Sequence, residues 1–472
     1  MNVANIFFGS KEEKRESLAA VLNPYDGTLA SKAPICTADD AKKALEIAQK
    51  AKKEAKNSML SQRINWLLDV ARMLFEKKEE FAQNLTKETA KPIAFSRIEV
   101  DRCIETIKIT ASVAMTTVGE TINTDAMSSG KKTNAFFIRE PAGVVVAITP
   151  FNFPLNLVAH KLAPALVAGN AVVLKPTPEA PYTGYSFAKL FIDSKFAIKD
   201  VLSVVYGDAE VGGALVASDI PRVISFTGSV QVGKIIMANA GIKKVSLELG
   251  GNAATFVEKT ADIAYAAKRC AYGAFANSGQ VCISLQRIYV DEAIYEEFAQ
   301  KIAEESSKLK VGSCHEDDTF MSALISEQEA KRAKSWIDSA VQKGARLISG
   351  GEVNKTILTP AILADVTDEM EIVCQEVFAP IVSLVKVNGF DEAVEKMNNS
   401  PYGLQFSIFT NSLTLTKRAI DELEAGGVVI NDVPTVRFDI QPYGGIKLSG
   451  VGREGAKYAI EEYTEIKSVV IC

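Results

Sequence analysis

Glu248 and Cys282 lie 34 positions apart, each beside glycine, in Leu247-Glu248-Leu249-Gly250-Gly251 and Gly279-Gln280-Val281-Cys282. A cysteine thiolate adds to a carbonyl carbon and forms a covalent intermediate. A distant glutamate can activate the water that releases it. Hydride transfer from an aldehyde needs such a step, because a bare aldehyde has no oxygen substituent to push the hydride out. Thiolate addition makes a tetrahedral adduct that can expel hydride, and hydrolysis of the resulting thioester needs a base. The bland alternative for a lone cysteine is an inert buried thiol. Only two histidines, His160 and His315, are present, so the thiol must work largely without an imidazole partner.

Five further segments carry candidate site residues. Thr149-Pro150-Phe151-Asn152-Phe153-Pro154 follows one such run. Its prolines fix a turn that presents Asn152, whose amide can donate to a developing oxyanion. Lys175 ends another run in Leu174-Lys175-Pro176-Thr177-Pro178, where cofactors dock on parallel sheets. Ser225-Phe226-Thr227-Gly228-Ser229-Val230-Gln231-Val232-Gly233 reads as strand, turn and helix start, with backbone N–H groups available to a pyrophosphate. Glu376-Val377-Phe378-Ala379-Pro380 and the glycine-rich Pro442–455 region complete the set.

Taken together, in this order and spacing, these segments resemble the aldehyde dehydrogenase superfamily over essentially the whole chain. The resemblance implies Cys282 as nucleophile, Asn152 with the Cys282 N–H as oxyanion hole, and Glu248 as general base. It implies NAD or NADP as cofactor, held by Thr149, Pro150, Phe151, Lys175, Thr177, Pro178, Gly207, Phe226, Thr227, Gly228, Ser229, Gly233, Leu249, Glu376 and Phe378. Many NAD-preferring members carry glutamate where this chain has Pro178, although Glu179 is adjacent. The choice between NAD and NADP is therefore open. Asn252, often lysine in relatives, carries no functional consequence.

Glu248 implies release of a free acid, since coenzyme A-acylating relatives typically lack that acid. Succinate-semialdehyde enzymes often carry arginine where this chain has Ala276. Non-phosphorylating glyceraldehyde-3-phosphate enzymes typically carry it where this chain has Val281. Residues 99–102, 150–156 and 426–432 with Arg437 are most similar to archaeal-type lactaldehyde dehydrogenases, with succinate-semialdehyde-type members next. Arg102 and Arg437 are the candidate substrate contacts. Succinate-semialdehyde or glyceraldehyde-3-phosphate oxidation, and a non-catalytic dinucleotide-binding protein, stand as alternatives. The last should have lost Cys282, Glu248 or Asn152.

The elements that must position these residues follow from patterning. Thr37 with Asp40 resembles a capping box before a helix reaching residue 55, and Ser61 could cap a second helix. Short apolar runs at 144–148, 171–174, 202–206, 223–226 and 245–249 alternate with helical segments such as 155–167 and 182–192. A second alternation has strands at 253–257 and 288–290, and helices at 292–308 and at 327–342 after Ser326. The expected fold is α/β, with two tandem Rossmann-like doubly wound parallel sheets and a boundary near residue 250. Residues 1–118 and 140–247 are read as the dinucleotide-binding domain and 248–430 as the catalytic domain. Residues 119–139 and 431–472 are read as an oligomerisation hairpin and tail. Residues 118–137 are polar and turn-rich, and the β-prone 468–471 could join another sheet, perhaps in a neighbouring subunit.

Net charge is −5 with both signs interspersed, which argues against nucleic acid as a partner. No run of about 20 apolar residues argues for a membrane span, and the N-terminus lacks the pattern of a secretory signal. The seven cysteines are odd in number and scattered, as expected of a reducing cytoplasm rather than a disulfide framework. No metal site is expected. The partners expected are a small aldehyde and one or three further copies of the chain.

Overall fold

A computed structural model describes residues 2–472. Its first sheet has eight strands, and the inner five are parallel. Val144–Ile148 and Ala171–Lys175 are buried at every position, as expected for strands covered on both faces. The chain lays Ala171–Lys175 and Leu202–Val204 to one side of Val144–Ile148. It then returns to lay Val223–Thr227 and Lys244–Glu248 on the other. The reversal opens a crevice between Val144–Ile148 and Val223–Thr227, at whose carboxyl ends Thr149 and Gly228 stand. Both flanks are antiparallel, with Gly450–Val451 on Lys244–Glu248 and Ile6–Phe8 on Leu202–Val204. The sheet is thus not purely parallel.

Leu249–Asn252 carries the chain into a second, seven-stranded sheet. Ala253–Val257, Leu285–Asp291, Ala361–Ala364, Ile381–Val387, Gln405–Phe409 and Gly427–Ile430 run parallel, and Arg346–Ser349 is an antiparallel edge. Separate apolar clusters cover its two faces. The fold is therefore α/β with two sheets in tandem, as the alternation of apolar runs predicts.

Local differences have local causes. The second helix is Leu60–Glu76 and starts from Met59, whose ψ of 139° is extended, so Ser61 is inside it and does not cap. Asp40 does accept the Thr37 N–H, at 3.0 Å. Ser326 does cap Glu327–Gln342. The helix expected at 292–308 is broken into a short turn, Glu292–Ile294, and a helix, Tyr295–Ser307, because Asp291 caps the turn first.

Glu120–Asn123 and Asn134–Pro141 form the expected hairpin. Thr464–Ile471 pairs with Asn134–Pro141 along its full length, so the tail joins the hairpin of its own chain. Residues 431–472 also do more than form a tail. They contribute the Gly450–Val451 edge strand and several walls of the cavity described next.

Candidate active site

A cavity of about 960 Å³ lies between the carboxyl ends of the first sheet and the loops of the second. It brings together residues from several distant stretches of the chain. Two of them are joined by glycine. A Cβ on Gly251 would lie 2.2 Å from the Cys282 carbonyl oxygen, so only glycine lets the segment after Glu248 pass against the cysteine backbone. The Gly251 N–H donates to Glu376 Oε1 at 3.1 Å.

The loop before Cys282 is held in an unusual shape. Asn277, Ser278 and Gly279 all have φ between 51° and 69°. Left-handed backbone at two non-glycine residues costs about 1–3 kcal/mol each. Partners fix it: Ser278 Oγ donates to the Ser322 carbonyl at 3.0 Å, and Gln280 Oε1 accepts the Ile325 N–H at 2.9 Å. A Cβ on Gly279 would fall 2.2 Å from the Ala379 carbonyl oxygen.

Cys282 is half-buried at the floor of the cavity. Its Sγ lies 3.0 Å from Tyr443 Oη. Burial pushes the thiol up to about 11, while the Tyr443 hydrogen bond and the Arg437 charge act in the opposite direction. Asn152 Nδ2 donates to the Gln280 carbonyl at 3.1 Å, which leaves its second amide hydrogen free for a ligand. Glu248 is 4% exposed, and neither carboxylate oxygen has a hydrogen-bond partner among the described residues. Burial, reinforced by the nearby Glu454 charge, holds it well above the usual carboxylate range against Arg437, Lys161 and Arg453.

Most of the residues expected to hold cofactor line the cavity: Thr149, Pro150, Phe151, Lys175, Thr177, Phe226, Thr227, Gly228, Ser229, Leu249, Glu376 and Phe378. Three do not. Pro178 faces solvent, and the adjacent Glu179 turns inward instead, accepting a hydrogen bond from Thr177. Gly207 packs its Cα against Val211, and Gly233 packs against Leu249. Those two glycines allow close packing against the side chains behind the wall.

The wall fits a dinucleotide. Gly228 and Ser229 bring the N-terminus of the helix Val230–Asn239 to the cavity, where unpaired N–H groups favour a pyrophosphate. Lys175 stands beside Glu179 and Asp208 at one end, suited to ribose hydroxyls. At the other, Phe151 and Phe378 meet edge to face with centroids 5.9 Å apart.

Arg102 and Arg437 also line the cavity, but each is already paired. Arg102 grips Asp439 through Nε and Nη2, at 3.2 and 2.8 Å. Arg437 donates to Glu454 Oε2 at 3.0 Å and lies over the Tyr443 ring at 3.7 Å. Burial works against ionising Glu454, yet Lys161, His160 and Arg437 hold it down at about 2. Sequence reasoning missed Tyr443, Glu454, Lys161 and Asp439 as site residues. The available signal was His160 and Lys161 inside Asn156–Val167, a helix buried at every position. Buried charge of that kind demands a partner.

Fold and cavity together define a dinucleotide-dependent oxidoreductase acting on aldehydes. The chain belongs to the aldehyde dehydrogenase family, whose model matches residues 10–469, and it oxidises aldehydes with NAD or NADP. It is 42% identical over 452 residues to a 3-sulfolactaldehyde dehydrogenase of Priestia aryabhattai, covering 96% of this chain and 94% of that protein. It is 41% identical over 455 residues to a lactaldehyde dehydrogenase of Methanococcus aeolicus, covering 96% of each. The crystal structure of aldehyde dehydrogenase 21 from Physcomitrella patens, in complex with the reaction product succinate, superposes with a TM-score of 0.97. That match has 36% identity and covers 100% of this chain and 98% of that one. A glyceraldehyde-3-phosphate dehydrogenase from Methanocaldococcus jannaschii, complexed with NADP, superposes at 0.92 with 38% identity, covering 97% and 99%.

Proposed function

We propose that this enzyme oxidises a small 2-hydroxyaldehyde, lactaldehyde foremost, to its carboxylate through a thioester on Cys282. One observation carries the mechanism: the cavity wall joins Cys282, the Asn152 amide and the unpaired Glu248 carboxylate. The Cys282 thiolate adds to the aldehyde carbon, and the oxyanion is received by Asn152 Nδ2 and the Cys282 N–H. The bound nicotinamide supplies the hydride acceptor. Glu248 then takes a proton from the water that attacks the thioester, and its raised proton affinity suits it to that step. The acid leaves and the sulfur regains its electron pair.

The substrate reading rests on the lactaldehyde, 3-sulfolactaldehyde and glyceraldehyde-3-phosphate relatives, whose aldehydes share a 2-hydroxy group. Arg102 and Arg437 on the same wall favour a second reading, an aldehyde that also carries an anionic group. Such a substrate would have to share these arginines with Asp439 and Glu454. Succinate semialdehyde and glyceraldehyde 3-phosphate fall under this reading too.

Initial rates of NADH and NADPH formation with lactaldehyde, 3-sulfolactaldehyde, glyceraldehyde 3-phosphate and succinate semialdehyde decide between the two. Wild type, Cys282→Ala and Arg437→Met are compared, with and without coenzyme A. The first reading expects lactaldehyde to lead, no activity in Cys282→Ala and no dependence on coenzyme A. A leading anionic aldehyde whose KM rises in Arg437→Met replaces it with the second. Activity surviving in Cys282→Ala removes the mechanism.

The same reading assigns cofactor binding to the first sheet and the nucleophile to the second. It makes the open edge of Thr464–Ile471, with exposed Ile466, Val470 and Ile471, the surface for assembly into a dimer or tetramer. The seven unpaired cysteines support a reducing, cytoplasmic setting.

A further inference from the structure

We propose that the Tyr443 hydroxyl is the group that donates a hydrogen bond to the Cys282 sulfur, stabilising it as thiolate before attack and again as leaving group. The inference rests on the reading of Cys282 as the nucleophile.

Three observations support it. Tyr443 Oη is 3.0 Å from Sγ, and among the described residues no other side chain hydrogen-bonds that sulfur. The tyrosine cannot drift, because its backbone exchanges hydrogen bonds with Glu454 at 3.0 Å (Tyr443 N–H to Glu454 O) and 2.6 Å (Glu454 N–H to Tyr443 O). The Arg437 guanidinium lies 3.7 Å from the ring centroid, and Glu454 holds it there. The Arg437 charge itself also favours negative charge on the sulfur.

The charged groups around the sulfur otherwise oppose ionisation. Glu376 and Glu248 both disfavour the thiolate, burial does so more, and Tyr443 and Arg437 favour it. Tyr443 is itself held well above the usual phenol range by burial, so it keeps its proton and acts as donor. The resting thiol loses its proton to cavity water. The sulfur then gives its electron pair to the aldehyde carbon, the carbonyl pair moves to oxygen, and the Tyr443 hydrogen bond loosens. When the thioester C–S bond breaks, the pair returns to sulfur and the hydrogen bond re-forms. Tyr443 remains neutral throughout.

The test is the pH dependence of iodoacetamide alkylation of Cys282, followed by peptide mass spectrometry in the full-length enzyme. Exposed Cys374 serves as internal reference. In Tyr443→Phe the Cys282 titration is expected to move up by about one pH unit, roughly a tenfold loss of thiolate near neutrality. Cys374 should not change. If Tyr443→Phe does not fold, 3-fluorotyrosine at position 443, a stronger donor of the same shape, decides instead by moving the titration down. An unshifted Cys282 titration in a folded Tyr443→Phe, or in the fluorotyrosine enzyme, overturns the proposal. Failure of the nucleophile reading is seen separately, as NAD(P)H formation by Cys282→Ala.

Discussion

Lys91 Nζ donates to the Asn152 carbonyl oxygen at 2.6 Å and to the carboxylate of Glu99. Both side chains are at most 2% exposed. Glu99 in turn accepts the N–H groups of Leu155 and Asn156, at 2.9 and 3.1 Å. One buried ion pair thus clamps both ends of the loop that presents the Asn152 amide.

Breaking that clamp should cost both stability and turnover. Lys91→Met leaves Glu99 buried and unpaired, and urea unfolding should show a loss of about 3–5 kcal/mol. Adding Glu99→Gln removes the stranded charge while keeping an acceptor for the loop. The double variant is therefore expected to recover stability but not kcat, because the Asn152 carbonyl remains unheld. Recovery of both would show that the clamp serves folding alone.

Glu248→Gln should separate the two halves of the reaction. Acylation proceeds, so a burst of NAD(P)H equal to the enzyme concentration is expected, followed by turnover slowed about 10²–10⁴-fold. Absence of the burst would place Glu248 before hydride transfer. The same variant has a stability signature. The folded-state affinity of Glu248 for its proton lies above the unfolded value, so the folded chain favours the acid form. Its stabilising contribution is full below the unfolded value of 4.5 and is lost as pH rises through the folded one. Glu248→Gln should therefore match wild type in melting temperature at about pH 4 and exceed it at about pH 8.

Burial pushes Glu376 up to about 7, against the Gly251 N–H and Arg332. If its carboxylate receives cofactor hydroxyls, NAD(P) binding followed by fluorescence should weaken as pH falls through about 7. Glu376→Gln should bind more weakly at high pH and lose that dependence. An unchanged pH profile in the variant would assign the dependence elsewhere.

Glu179, not Pro178, faces the cavity beside Lys175. A carboxylate there repels a ribose 2′-phosphate, by about 1–4 kcal/mol at close range. Glu179→Gln is expected to raise kcat/KM for NADP relative to NAD about tenfold or more. A ratio that does not move would exclude Glu179 as the discriminating group.

The strands were legible because buried parallel strands are continuous apolar runs: Val144–Ile148 and Ala253–Val257 match their expected limits. Glu248 and Cys282 were legible because each sits beside glycines that the fold needs for close approach. What stayed hidden depends on distant pairing. Tyr443 meets Cys282 across 161 positions, and Lys161 meets Glu454 across 293. No local period records how the C-terminal segment crosses back over the first sheet. The orientation of Pro178 and Glu179 was hidden for a smaller reason, since no local pattern records which of two neighbouring residues turns inward to meet Thr177.

The edge strand Gly450–Val451 and the zipper of Thr464–Ile471 have a consequence for biosynthesis. Arg437, Tyr443 and Glu454 reach the cavity only after both have docked on strands made much earlier. A chain emerging from the ribosome can assemble most of both sheets while Cys282 still lacks its tyrosine and Glu248 its charged neighbours. The surroundings of Cys282 are thereby completed only once the segment carrying Arg437, Tyr443 and Glu454 has been made and has docked.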